Sequence, residues 1–143
     1  MNTKKRLNNI LEKLRGQGNR LTPQRIAIIN AIVEDDSHPS VELIYEKIKR
    51  DFPTTSLATV YKTIRLLKDS DEILELEFGD EGSRFDGRIP HAHPHLICTK
   101  CGAIFDSEMK NFDSFIQSLT SDSGFKIQGH RFDIYGICSS CQD

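Results

Sequence analysis

Apolar residues recur along the first part of the chain at helical spacing and are broken by capping and stop signals. Leu7, Ile10, Leu11 and Leu14 run into Gly16 and Gly18, which predicts a helix and its end. Thr22 then Pro23 supply an N-cap and an N1 proline for a second helix whose apolar face is Ile26, Ile29, Ile32 and Val33. Ser40 caps a third, with Val41, Ile44, Tyr45 and Ile48 on its inward face and an end before Pro53. Ser56 caps a fourth, predicted to turn Leu57, Val60, Ile64 and Leu67 inward and to leave Thr59, Tyr61, Lys62, Thr63 and Arg65 largely outward. The period then shortens to two: Leu74, Leu76 and Phe78 alternate with Glu75 and Glu77, the stretch Gly79 to Gly82 reads as a turn, and Ser83 to Asp86 as a return strand. Helices followed by such a hairpin make a winged helix-turn-helix over residues 1–86, in which the fourth helix enters the major groove of duplex DNA and the hairpin lies beside the backbone.

Gly87 to Pro90 reads as a hinge, because glycine frees the backbone and proline stops helix and central strand alike. Residues 91–143 then offer strand runs at Leu96 to Cys98, Ala103 to Phe105 and Phe132 to Ile137, with one amphipathic helix carrying Phe112, Phe115, Ile116 and Leu119 before Gly124. The fold class is therefore α+β, a winged helix followed by a small α/β dimerisation domain. A unit of that size buries little apolar surface, so a metal staple and an oligomer interface are both expected of it.

Composition narrows the partners. Hydrophobic residues at 37% and charged residues at 28%, with no low-complexity tract, describe a globular chain. A net charge of -2 gives no global attraction to nucleic acid, so DNA binding must come from local placement of charge. That placement is uneven: Lys4, Lys5, Arg6, Lys13, Arg15, Arg20 and Arg25 face the single acid Glu12 in residues 1–25, whereas residues 69–86 are dominated by Asp and Glu. No long apolar run and no apolar segment behind the basic N-terminus are present, so neither a membrane nor a secretion route is expected, and the cytoplasm is.

The only cysteines are the pairs Cys98/Cys101 and Cys138/Cys141, each C-x2-C. Four thiolates close a tetrahedral Zn2+ shell and leave no position for water, so the expected ion is structural. Two disulfides are the alternative, disfavoured in a reducing compartment, and a redox C-x-x-C would sit at a helix N-terminus rather than beside strands. Just ahead of the first pair, His91, His93 and His95 alternate around Ala92 and Pro94, leaving only His38 and His130 elsewhere. In an extended segment those three face one way, and two of them can share an ion with ligands from elsewhere; histidines exposed in a loop are the alternative.

At this point the sequence resembles the ferric uptake regulator family along nearly its whole length. The resemblance rests on Arg20 to Arg25 (RLTPQR), His38-Pro39, Ser56 to Lys62 (SLATVYK), His93 to Gly102 (HPHLICTKCG) and Ile134 to Cys138 with Cys141. It implies a homodimer that binds a palindromic operator when a divalent metal fills a regulatory site, and no enzyme. Ser83 to Asp86 and Cys101 to Asp106 are similar to the peroxide-sensing branch. There the ligands fall at positions matching His38, Asp86, His93, His95 and Asp106, while the iron-sensing branch tends to carry glutamate at the positions of Asp86 and Asp106. Imidazoles and carboxylates together suit Fe2+ or Mn2+. The resemblance further implies that bound Fe2+ reduces hydrogen peroxide and that His38 and His93 take up oxygen and fail as ligands. Mn2+ would support DNA binding without that chemistry. DNA contacts are expected from Tyr61 to base or sugar, from Thr59, Lys62 and Arg65 to groove or phosphate, and from Arg20 and the N-terminal lysines to the backbone. A further metal site of the iron-sensing branch would need ligands where Ala92 and Pro94 stand, leaving only His91, Asp113 and His130 nearby. An iron-responsive repressor is the alternative, and a non-haem iron enzyme or a zinc-ribbon interaction module are the readings from other classes.

Overall fold

The computed structural model describes residues 2–143; Met1, where the first predicted domain begins, lies outside the described residues. The chain divides into two compact units, residues 1–91 and 92–143.

The first unit runs α1 (Thr3–Gly16), α2 (Pro23–Glu34), α3 (Val41–Asp51), α4 (Leu57–Asp69), β1 (Leu74–Glu77) and β2 (Ser83–Asp86). The capping residues read from the sequence act as such: Thr22 accepts from the amide of Arg25, Ser40 from Leu43 and Ser56 from Thr59. Helix α2 is the hub. Its buried Ile28, Ile29, Ile32 and Val33 share one core with Ile10 and Leu14 of α1, Ile44 of α3 and Val60 and Leu67 of α4. Strands β1 and β2 pair antiparallel, with Leu74 opposite Asp86 and Glu77 opposite Ser83. Phe85 is the residue of β2 that enters the core.

Two assignments on α4 are corrected. Leu57, at the first helical position, projects past the edge of the core and is 41% exposed. Thr63 is fully buried, and its hydroxyl is satisfied by donating to the carbonyl of Thr59 at 2.8 Å, so a polar side chain takes an inward position without an orphan group. The predicted hinge, residues 87–90, and His91 after it cluster with the first unit. Arg88 donates to the carbonyls of Val33 and Glu34, and Gly87 lies so close to α2 that an added Cβ would sit 2.7 Å from the Ile32 side chain. Close approach, rather than backbone freedom, explains this glycine.

The second unit runs β3 (His95–Cys98), β4 (Ile104–Asp106), α5 (Phe112–Thr120) and β5 (Asp133–Gly136). Its sheet has the order β4-β3-β5, antiparallel between β3 and β4 and parallel between β3 and β5. Phe112 and Phe115 of α5 meet Phe132 at ring separations of 6.0 and 5.9 Å. The buried apolar set is small: Ile97, Cys98, Ile104 and Phe112. Leu96, Phe105, Ile134, Tyr135 and Ile137 remain exposed, as does Leu119, predicted to lie on the apolar face of α5.

Candidate functional site

The two C-x2-C pairs come together at the end of the second unit's sheet. Cys98 ends β3, Cys101 follows in the turn, and after β5 Cys138 precedes a short 3-10 turn that Cys141 ends. All four are free thiols, and their sulfurs lie within 4.8 Å of one another. The Cys101 and Cys138 sulfurs are 3.8 Å apart. Zinc–sulfur bonds of about 2.3 Å at tetrahedral angles set sulfurs about 3.8 Å from each other, so the spacing fits a Zn2+ ion. Two disulfides, the alternative in the sequence, are not formed.

The backbone prepares the anion. Cys98 Sγ accepts from the amides of Cys138 at 3.3 Å and Cys101 at 3.5 Å, and those bonds pull its pKa down to about 6. Cys141 goes the other way, to about 12, because its thiol donates to Cys138 and Cys101 and because the site already holds negative charge. Four sulfurs so crowded cannot all ionise without a cation among them.

Within the first unit, His38 and Asp86 are both buried and lie 3.2 Å apart, Nε2 to Oδ2. Each is held by the backbone. Asp86 Oδ1 accepts from the amides of Arg88 at 2.8 Å and Ile89 at 3.1 Å, which directs Oδ2 at the imidazole. His38 takes the left-handed conformation, φ 59°, between α2 and α3. Arg84, on the same face of β2 as Asp86, clasps that loop by donating to the carbonyls of His38 and of Ser37, the latter at 2.6 Å. The amide of Phe85 donates to the Pro39 carbonyl at 3.1 Å, so the loop adds a short rung to the hairpin edge.

Within the second unit, His93 and His95 converge on one carboxylate. Asp106 Oδ1 lies 2.8 Å from His93 Nε2 and 3.3 Å from His95 Nε2, and the two rings are 4.3 Å apart. His95 and Asp106 face each other across the β3–β4 ladder, which is why residues so distant in sequence meet. Both imidazoles are buried, while Asp106 is more open. His91 is not a member of this group; it is exposed and clusters with the first unit. His130 packs edge-on against Phe112 at 5.3 Å.

Asp133 and Arg84 were not foreseen. Asp133 is the register partner of His95 on the parallel strand, its Oδ1 is 4.0 Å from His95 Nδ1, and Arg131 and Tyr135 hold its Oδ2 at 2.8 and 3.2 Å. A carboxylate behind the far nitrogen of a ligating imidazole fixes its tautomer and ring plane. No sequence pattern announces it, because the pairing depends on which strand lies beside β3.

Of the residues predicted to touch DNA, Tyr61, Lys62 and Arg65 are exposed on α4, Tyr61 to 51%, and Thr59 is half-buried on the same helix. Arg20 is exposed just before α2.

The ferric uptake regulator family model matches residues 16–135. The chain belongs to the ferric uptake regulator family. Among its relatives, the peroxide-responsive repressor PerR of Staphylococcus saprophyticus subsp. saprophyticus is 39% identical over 137 residues, covering 96% of this chain and 92% of that protein. The structure of the Campylobacter jejuni peroxide stress regulator aligns with a TM-score of 0.70 at 28% identity, over 94% of this chain and 98% of that one. The Helicobacter pylori ferric uptake regulator shares the fold, with a TM-score of 0.79 at 22% identity over 100% of this chain and 95% of that one.

Proposed function

We propose that this family member is a metal-dependent, DNA-binding transcriptional repressor that senses hydrogen peroxide through oxidation of a regulatory histidine. The observation that carries the reading is the pair of half-sites: a buried His38–Asp86 couple in one unit, and His93 and His95 around Asp106 in the other, with aspartate as the carboxylate in both. The identity of 39% to a protein named as a peroxide-responsive repressor supports the same branch. In this reading the half-sites share one Fe2+ or Mn2+, and the all-cysteine site holds a structural Zn2+.

When bound, Fe2+ supplies the reduction of peroxide. The protein supplies the rest. Burial would keep His38 and His93 beside the ion and away from bulk water, the Asp86 and Asp106 carboxylates stand beside their Nε2 atoms as fellow ligands, and Arg84 fixes the loop that carries His38. Uptake of oxygen by either ring removes a ligand that ties one unit to the ion. A hundredfold change in operator affinity corresponds to about 2.7 kcal/mol of coupling, a demand that loss of one or two ligand bonds can meet.

The operator is a palindromic duplex read by a homodimer, with Tyr61 and Arg65 at the groove and Thr59, Lys62 and Arg20 at the sugar-phosphate backbone. The exposed sheet face of Leu96, Phe105, Ile134 and Ile137 is the apolar surface a second copy would cover. No described helix is long and apolar enough to cross a membrane. The role is cytoplasmic and non-catalytic. To test it, the full chain with zinc bound is offered a random duplex library with and without Mn2+. The expected result is enrichment of one palindrome only with Mn2+, lost in His38→Ala. Enrichment that ignores Mn2+, or none at all, would overturn the reading.

A further inference from the structure

A cleft of about 460 Å³ opens between the N-terminal end of α2 and the loop that leads into α4. Three cations line it, Arg20, Arg25 and Lys62, and no acid does. The neighbouring cleft along α4 differs, since it includes Glu42, Asp69, Glu75 and Glu81 beside its own cations. Thr22 and Arg25 are the cap and first turn of α2, so the positive end of that helix adds to the field in the cleft. The carbonyl of Arg20 accepts from the Arg25 guanidinium at 2.8 Å and holds it in place.

The decisive group is Thr55. It lines the cleft, is 6% exposed, and its hydroxyl has no hydrogen-bond partner among the described residues. A buried hydroxyl left without a partner costs free energy that a bound acceptor recovers. Helix positives, two guanidiniums, an ammonium and a waiting hydroxyl are together the donor set of a phosphate oxygen site. Lys62 lies next to Tyr61 on the exposed face of α4, which places the cleft at the flank of the helix proposed to enter the groove.

We propose that this cleft clamps one phosphodiester of the operator backbone, with Thr55 and Arg25 as its donors. The clamp sets the register of α4 on the duplex and carries no sequence preference of its own. It rests on the DNA-binding reading above.

The test uses the full chain loaded with zinc and Mn2+, and the duplex that the wild-type protein selects from a random library. Each phosphate of that duplex is replaced in turn by a methylphosphonate. Binding is measured for wild type, Thr55→Val and Arg25→Gln over a range of salt. One position per half-site is expected to weaken wild type about tenfold and to leave both variants unaffected. Arg25→Gln lowers the slope of log affinity against log salt by about one per protomer, while Thr55→Val lowers affinity with the slope unchanged. The Tm of Thr55→Val stays at or above that of wild type, because the lost hydroxyl had no partner in the free protein; a merely structural role would lower it. If both variants bind the selected duplex as wild type does, the clamp is wrong and the repressor reading survives. If inorganic phosphate raises the Tm of wild type but of neither variant, while duplex binding is unchanged, the cleft serves a free anion and the backbone assignment falls. If wild type selects no duplex, the repressor reading itself fails and takes the clamp with it.

Discussion

Replacing Gly87 by alanine tests how tightly the end of β2 is pressed onto α2, and with it the seat of Asp86. A Cβ built there meets Ile32 Cγ2 at 2.7 Å, Ile32 O at 3.0 Å and Ile32 C at 3.1 Å. The methyl contact could be relieved by a change of rotamer, but Ile32 is fully buried in the core, and the two backbone atoms belong to the last turn of α2, which shifts only if the packed end of the helix shifts with it. Insertion of one methyl into such a contact costs about 1–3 kcal/mol. In a unit of this size, about 2 kcal/mol corresponds to roughly 10 °C in melting temperature. Hydrogen exchange of the amides in α2, together with urea unfolding of the full chain, reads the loss locally. Gly129→Ala is the control, since a Cβ there meets nothing within 4 Å and its φ is ordinary. A Gly87→Ala protein whose α2 amides exchange as in wild type, to within about 0.5 kcal/mol, would refute the packing argument.

Three further outcomes follow from the sites. Asp133→Ala, which removes the carboxylate behind His95, weakens Mn2+ binding about 10- to 100-fold with the zinc retained; an unchanged Mn2+ titration would show that Asp133 does not position the ring. Arg84→Leu frees the Ser37 and His38 carbonyls and lowers Mn2+ affinity although it removes no proposed ligand, whereas equal affinity would mean that the loop holds itself. Zinc binding releases protons unequally. Cys98, drawn down to about 6, is already a thiolate at pH 7.5, so Cys98→Ser leaves the proton yield per zinc nearly unchanged, while Cys141→Ser, which removes a thiol pushed up to about 12, lowers it; equal effects in a pH-stat titration would contradict the assignment. The sign carries over to stability: a depressed thiol stabilises the folded zinc-free unit most above pH 9, its ordinary value, and that contribution is lost as pH falls through about 6.

What could be read from the chain alone was whatever is local or periodic. Thr22, Ser40 and Ser56 announce their helices because capping is satisfied within three residues. The cysteine pairs announce themselves by spacing. Inward and outward positions on α4 were less legible, since Leu57 lies beyond the edge of the core and Thr63 hides its hydroxyl in its own helix. Alternation put His91, His93 and His95 on one face with two of them expected to share an ion, but which two depends on the strand pairing that brings Asp106 opposite His95. Gly87 looked like freedom and is a close contact, a distinction that depends on Ile32. Thr55, Arg84 and Asp133 carry no pattern of their own. Arg84 and Asp133 take their places from residues far away in sequence, through a hairpin edge and a parallel strand, and Thr55 lines a cleft whose other wall is the start of α2.

The central claim is that oxygen reaches a regulatory histidine only through iron. The zinc-loaded protein is given Fe2+ without air, treated with equimolar hydrogen peroxide and digested, and the peptides containing His38 and His93 are weighed. One added oxygen on either peptide, absent when Mn2+ replaces Fe2+, is the predicted result. No gain of mass at either histidine, with operator binding that simply follows Fe2+ concentration, would contradict it and make the chain an iron-responsive repressor.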